Sequence, residues 1–419
     1  MKIVHTSDWH LGRTVWGVSR APDHQAVLAE IINITSEQQP DLILHTGDLF
    51  DQQRPPVHAL RLATDALQDL AAIAPVVVIC GNHDSAALLH WLHGIMQHGD
   101  RIHFVADPDA MRSGTVLRFP VGAGRLHIAA LPFITANRVV SAMDDPDGRR
   151  DSYAKFIANL QQLLLRKLHQ DVDETTDVTI FATHQYVSGS IPSRTENPTH
   201  TSDFYVTDAE QVPQVNYAAF GHIHKPQILP GGRVIGAYAG SPIQLDFGEA
   251  GEDKSIVVAH MEPNGPTRID RIPLRAGRRL EKLSGSLDQL RSRAVAITDE
   301  ICHITVNTQT HEPNLSRHVK EIFPRATIVD IAEICADRTF DLVTSNTPAD
   351  GEPDNPAMFR SFLAERGTSD APAEQVAELF DILLDHVDDE HPPRLPAEDL
   401  LAKDPAAFIV PDDEEELVS

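Results

Sequence analysis

A chain of 419 residues is longer than one ordinary core requires, so a main domain with smaller modules is expected. The absence of any run of about 18 apolar residues excludes a bilayer-spanning helix, and the opening MKIVHTSDWHLG lacks a secretory pattern, so the chain is expected to be cytoplasmic with no membrane partner. A formal charge of −26 excludes bulk electrostatic attraction as the source of any affinity for nucleic acid; residues 346–419 hold 20 acidic and 4 basic side chains, a net of −16, which leaves −10 for the first 345.

In chain order, KIVHT is a β-rich run ending in Ser7-Asp8, and Val27, Leu28, Ile31 and Ile32 follow with helical period. DLILHT (41–46) is a second strand that runs into Gly47-Asp48. Val57, Leu60, Ala63, Leu67 and Leu70 mark a second helix, and PVVVIC (75–80) a third strand. Strands alternating with helices imply right-handed βαβ crossovers, with functional groups just beyond the carboxyl ends of the strands, where Asp8, Asp48 and Asn82 all fall. A helix from Ser152 to His169, a strand DVTIFATH (177–184) and a strand YAAFGHIH (217–224) come next. The alternating run Ser255–His260 is expected to close a second sheet, ending a domain of residues 1–270.

Between Arg268 and Lys282 six basic residues face two acidic ones, a local strip able to meet phosphates or simply to be solvated. Residues 275–343 pattern as a small α+β module, with a helix around Leu287–Val295, a strand His303–Val306, a helix Leu315–Ile322 and a strand Ala326–Ile331. Residues 344–356 have linker composition. Two amphipathic stripes follow in 357–390, the first with Phe359, Phe362 and Leu363, the second with Leu379, Phe380 and Leu383; the acidic segment 391–419 is expected to be disordered. Cys80, Cys302 and Cys335 form no CxxC pair and are expected to be buried hydrophobes.

The chemistry falls in five short segments: Asp8-Trp9-His10, Gly47-Asp48-Leu49-Phe50-Asp51, Gly81-Asn82-His83-Asp84, Thr183-His184-Gln185 and Gly221-His222-Ile223-His224. All offer nitrogen or oxygen donors and none a thiolate, a mixture that suits manganese or iron better than calcium and is compatible with zinc. A pair of divalent ions about 3.5–4 Å apart needs a bridging carboxylate and roughly three further ligands each. Asp8, His10, Asp48, Asn82, His184, His222 and His224 supply that inventory, with Asp48 read as the bridge. Each segment alone is common by chance; five in this order, each after a strand, point to one site.

The order DxH, GDxxD, GNHD, H, GHxH resembles that of the calcineurin-like metallophosphoesterases. More narrowly, TSDWHLG, GDLFD and GHIHKPQ with GSPIQLDFGE are similar to the SbcD components of bacterial SbcCD exonucleases, relatives of the meiotic-recombination nucleases, over residues 1 to about 270. The resemblance implies a four-layer α/β/β/α sandwich with a small α+β capping domain that contacts DNA and C-terminal partner-binding helices. It further implies two divalent metal ions, manganese expected, a homodimer within a heterotetramer with an SbcC-type ATPase, and a cytoplasmic, nucleoid-associated role in DNA repair, recombination and replication. The implied activities are ATP-dependent 3′–5′ double-strand exonuclease and single-strand or hairpin endonuclease.

By position, the resemblance puts Asp8, His10, Asp48 and His224 on one ion and Asp48, Asn82, His184 and His222 on the other. It makes His83 the catalytic histidine and Asp84 the carboxylate that holds its ring; Asp51 is read as a supporting residue and Arg54 as a phosphate contact, with an ordinary loop residue the alternative for either. Two other classes use the same ligands: a phosphomonoesterase or cyclic-nucleotide phosphodiesterase, and a non-catalytic adaptor for an ATPase. The capping module and helical tail weigh against the first, and His83 beside the ligands against the second.

Overall fold

In the computed structural model the described residues are 1–96, 100–106, 116–135, 149–193, 196, 206–336, 355–365 and 370–385; they fall in two compact units, one within 1–339 and one within 340–419. The first unit opens with β1 (Lys2–Thr6), a β2–β3 hairpin (Thr14–Val15, Val18–Ser19), α1 (Ala21–Gln38), β4 (Leu42–His45), α2 (Val57–Ile73), β5 (Val76–Ile79), α3 (Ala86–Met96) and β6 (Ile102–Val105). It continues with β7 (Val116–Val121), β8 (Gly124–Leu131), α4 (Arg149–Leu168), β9 (Val178–His184), β10 (Tyr186–Val187), β11 (Val206–Thr207), β12 (Tyr217–Gly221), β13 (Gln227–Ile228), β14 (Gly236–Tyr238), β15 (Ser255–His260) and β16 (Arg268–Pro273).

Two six-stranded sheets result, ordered β16-β15-β1-β4-β5-β6 and β13-β14-β12-β9-β8-β7, with parallel centres and antiparallel edges except at β6, which pairs parallel to β5. The strand residues alternate between two cores. Ile3, Leu42, Leu44, Val77 and Ile79 meet Ile128, Ile180, Ala182 and Ala219 between the sheets, while Val4, Ile43, Val76 and Val78 pack outward against α1, α2 and α3. The second sheet packs its other face on α4 through Phe181, Phe220, Tyr153, Ile157 and Leu164. Being covered on both sides explains the continuous apolar runs LILH and VVVI. The architecture is the expected α/β/β/α sandwich.

One strand lies elsewhere than expected. β15 joins the first sheet, antiparallel to β1 with Val4 opposite Val258, instead of closing the second. Its sequence does not distinguish the sheets, because both of its faces are buried: Ile256 and Val258 enter the helix-side core, Val257 and Ala259 the inter-sheet core.

The same unit includes β17 (Leu280–Gly285), α5 (Leu287–Arg293), β18 (Ile301–Thr308), α6 (Leu315–Ile322) and β19 (Thr327–Cys335), a parallel sheet in the order β17-β18-β19. Leu283, Leu290, Cys302, Ile304, Val306, Val319 and Phe323 form its core, and Ser286 and Gln289 cap α5 reciprocally. β17 escapes a sequence reading because LEKLSG begins inside the end of the basic strip and lacks a continuous apolar run. Much of that strip serves the fold: Arg278 pairs with buried Asp23 at 2.9 Å, Arg279 with Asp253 at 3.4 Å and Arg268 with Asp270 at 3.1 Å. All three cysteines are buried and none forms a disulfide.

The second unit holds α7 (Asn355–Glu365) and α8 (Asp370–Asp385). Phe359 and Phe380 stack with ring centres 4.1 Å apart, so part of each apolar stripe is spent on the other helix. Leu363 is half-buried, whereas Leu379 and Leu383 remain exposed. The side chain of Phe362, residues 337–354 of the expected module end and linker, and the acidic tail 391–419 lie outside the described residues. No helix among the described residues is long and apolar enough to cross a membrane.

Candidate metal centre

The ligand loops are built from the carboxyl ends of β1, β4, β5, β9 and β12. The loops after β1 and β4 zip together, Asp8 N donating to Gly47 O (2.9 Å) and His10 N to Asp48 O (3.0 Å). Asp8, His10, Asp48 and His222 hold left-handed backbone angles (φ 51°, 47°, 54° and 95°), conformations that cost energy in non-glycine residues and persist where the surroundings enforce them. Glycines open the space: a Cβ at Gly81 would collide with the Asp48 carboxylate and amide, and one at Gly221 with the Thr46 carbonyl.

All seven expected donors converge. Asn82 Oδ1 lies 2.9 Å from His184 Nε2 and 2.8 Å from His222 Nδ1, and Asp48 Oδ2 lies 3.3 Å from His184 Nε2 and 3.5 Å from His10 Nε2. Asp8, His10 and His224 form a second group whose donor atoms all lie within 4.8 Å of one another. Divalent ions of this kind hold nitrogen and oxygen ligands at about 2.0–2.2 Å, which places neighbouring ligand atoms about 3 Å apart, the spacing found here. His10 Nε2 is buried with no hydrogen-bond partner among the described residues, an unmet polar group that a cation would satisfy. The residues present therefore fit divalent metal ions, with Asp48 among the converging donors.

His184, His10 and His224 are each oriented by the second ring nitrogen. His184 Nδ1 donates to the Thr46 carbonyl (2.7 Å), His10 Nδ1 faces Asp51 Oδ1 (3.3 Å), and His224 Nδ1 faces Glu249 Oε1 (3.0 Å). Glu249 carries no signal of its own in the sequence, although it ends the GSPIQLDFGE motif. It is buried, also accepts from Leu245 N (3.1 Å), and pairs with Lys254 at 2.6 Å. Burial alone would raise its pKa, but Lys254 and His224 hold it well below the ordinary range. Glu196, equally silent in the sequence, accepts from the His224 amide at 2.9 Å. The Thr46 and Asp51 carbonyls are backbone groups that no residue type announces.

His83 sits beside this cluster, its ring 4.8 Å from that of His10. Its Nδ1 lies 2.8 Å from the Asp51 carbonyl, an acceptor only, which fixes a proton on Nδ1 and leaves Nε2 for the site. The expected orienting role of Asp84 is not what the geometry gives: its carboxylate accepts instead from Gly81 N (2.9 Å), Phe50 N (3.0 Å) and Leu49 N (3.2 Å). Asp84 thus ties the β4 and β5 loops together, because the tight GNHD turn points it inward at backbone amides. The Asp51 carboxylate lies 3.3 Å from His10 Nδ1 and 3.2 Å from Arg13, while Arg54 is an exposed loop residue.

The cluster's own charges are electrostatically frustrated. Burial and Asp48 raise the pKa of Asp8, despite His184 and His224. Burial would lower that of His184, but Asp48 and Asp8 lift it to about 9. Burial also favours a neutral Asp48, yet the imidazoles of His184, His83 and His10 hold it well below its usual range. Cations would resolve this packing of buried carboxylates and imidazoles.

The family model for calcineurin-like phosphoesterases matches residues 1–226. The chain is 32% identical to the SbcD component of the SbcCD nuclease of Bacillus subtilis (strain 168) over 67% of this chain and 72% of that protein. It is 28% identical to the protein of the same name from Staphylococcus saprophyticus over 82% of this chain and 87% of the relative, and 24% identical to that of Staphylococcus epidermidis over 77% and 83%. The converging donor set and these similarities together mean that the chain belongs to the calcineurin-like phosphoesterases and, within them, to the SbcD family of SbcCD nucleases.

Proposed function

We propose that the chain is the DNA-cleaving component of an SbcCD-type complex, a phosphodiesterase that uses two divalent ions, with manganese as the working metal. The observation that carries this reading is the convergence of Asp8, His10, Asp48, Asn82, His184, His222 and His224, with a bare buried His10 Nε2 among them. Ions held there supply charge neutralisation for the phosphate oxygens and an activated water. His83, with Nδ1 anchored on Asp51, holds Nε2 ready to give a proton to the leaving oxygen. The cluster offers nothing that reads base edges, so cleavage is expected to be indifferent to sequence.

An SbcC-type ATPase is the proposed partner, docking on α7 and α8, where Leu379 and Leu383 are 36% and 48% exposed. A homodimer, within a heterotetramer, is favoured by α3: Trp91 and Ile95 are 57% and 48% exposed on the stripe that includes half-buried Leu88. ATP-dependent 3′–5′ exonuclease and hairpin endonuclease action at the nucleoid complete the proposal.

The test is manganese-dependent cleavage of labelled linear and hairpin DNA by the purified chain, with and without the ATPase and ATP, beside His83→Ala. Cleavage is expected to vanish in the variant while manganese binding persists. Failure to cut DNA even with the partner, together with turnover of a small phosphomonoester, would overturn the nuclease reading.

A further inference from the structure

Between the β2–β3 hairpin and the face of the β17–β18–β19 sheet opposite its core lies a cleft of about 430 Å³, which the chemistry above does not use. Lys282, Ser284, His303 and Thr305 line it from the sheet, with Trp16 and Phe247 opposite. Trp16 is 57% exposed, while its neighbour Val15, 1% exposed, makes the apolar contact with Phe247, Leu280 and Ile301 that joins hairpin to sheet. The indole is nevertheless held in place. Its backbone is left-handed (φ 50°), and its ring meets Phe247 edge-on at 6.4 Å and His303 at 5.4 Å. His303 is in turn fixed by Asp330 at 3.1 Å.

A braced, solvent-facing indole beside an imidazole and a lysine suits a ligand that joins flat rings to an anionic chain. The cleft also adjoins the metal centre along the chain: Trp16 follows the loop that carries His10, and Phe247 lies two residues before Glu249, which holds His224. Asp246, the acidic group in the lining, is turned to the amide of Gly248 at 3.2 Å. Lys282, by contrast, is exposed on the sheet.

We propose that the Trp16 indole, braced edge-on by His303, is a stacking platform for an unpaired nucleobase of the strand being cleaved, with Lys282 against its phosphate. This rests on the nuclease reading above and adds that a frayed or single-stranded segment, not intact duplex, is what the cleft receives. Because every base has a π-face, the platform is indifferent to sequence.

Equilibrium binding by fluorescence anisotropy tests it, using the full-length chain in EDTA to prevent cleavage, with labelled oligothymidylate and an abasic oligomer of equal length. The wild type is expected to prefer oligothymidylate. Trp16→Ala should weaken that binding between about fivefold and a hundredfold and erase the preference, while Trp16→Phe keeps most of it. A Trp16→Ala chain that retains the preference, or a wild type that shows none, overturns the platform. Manganese-dependent cutting of the same oligothymidylate is scored separately: cutting without preference sinks the platform alone, and preference without cutting counts against the nuclease reading alone.

Discussion

Replacing Asp23 by Ala should be among the most damaging changes outside the metal centre. Asp23 is 3% exposed and accepts from Arg20 Nε (2.8 Å), Arg278 Nε (3.0 Å), Arg278 Nη2 (2.9 Å) and the Arg278 amide (2.8 Å). Arg20 is fully buried and also donates to the carbonyls of Gln244 and Arg278, both at 2.8 Å. Without the carboxylate, its guanidinium is a buried charge that has lost its hydrogen-bonded counterion, a loss of about 3–5 kcal/mol. At about 1.4 °C per kcal/mol for a unit of this size, Tm should fall by about 4–7 °C in a calorimetric or circular-dichroism melt.

The damage should be local as well, since Arg278 lies in the segment that leads from β16 into β17. The pH dependence has a definite sign. Burial alone would raise the Asp23 pKa, but the hydrogen bonds from Arg278 and the charge of Arg20 lower it below its ordinary 3.8. Its stabilising contribution is therefore present above about pH 4 and lost as pH falls through the lowered value. Arg20→Met with Asp23→Leu should recover much of the loss, because apolar replacement of a buried pair is often neutral. An Asp23→Ala protein that melts with the wild type would refute this account.

Glu249→Gln should weaken manganese binding about 10- to 100-fold by calorimetry, since the amide can turn its NH2 toward His224 and loosen the ring. Asp84→Ala should likewise act on metal affinity, by untying the loops of Asp48 and Asn82; a variant with wild-type affinity and only a slower turnover would restore the ring-holding role to Asp84. Because His184 titrates near 9 without metal, the proton on its Nε2 must leave when an ion binds, so affinity should climb with pH up to about 9. Calorimetry at pH 7 in buffers of differing ionisation enthalpy should reveal released protons, and identical heats in all buffers would contradict it.

The parts of this molecule that are legible in sequence are those where one residue type does one job. Apolar runs such as PVVVIC announce doubly covered strands, and the five donor segments follow them directly. What the sequence hides depends on three-dimensional company. β15 is buried on both faces and so fits either sheet, and only its antiparallel pairing with β1 reveals its place. Asp84 looks like a partner for the histidine next to it in sequence, but the turn directs it to amides from another loop. Glu249 comes to His224 from 25 residues away, through an Asp246-capped turn that no short motif describes.

The return of β15 to the edge of β1 also governs how the molecule can be assembled. All seven donors are present once residue 224 exists, and a fragment 1–226 spans the family match. Such a fragment lacks β15, β16 and Glu249, so β1 is left as an open edge beside an incomplete apolar core. An unpaired edge of this kind invites pairing with another chain, and a pairing between residues so distant in sequence forms slowly. During synthesis the ligands are therefore ready before the scaffold that holds them, which places durable metal capture after the release of residues 255–273 and makes early truncation products candidates for aggregation rather than for partial activity.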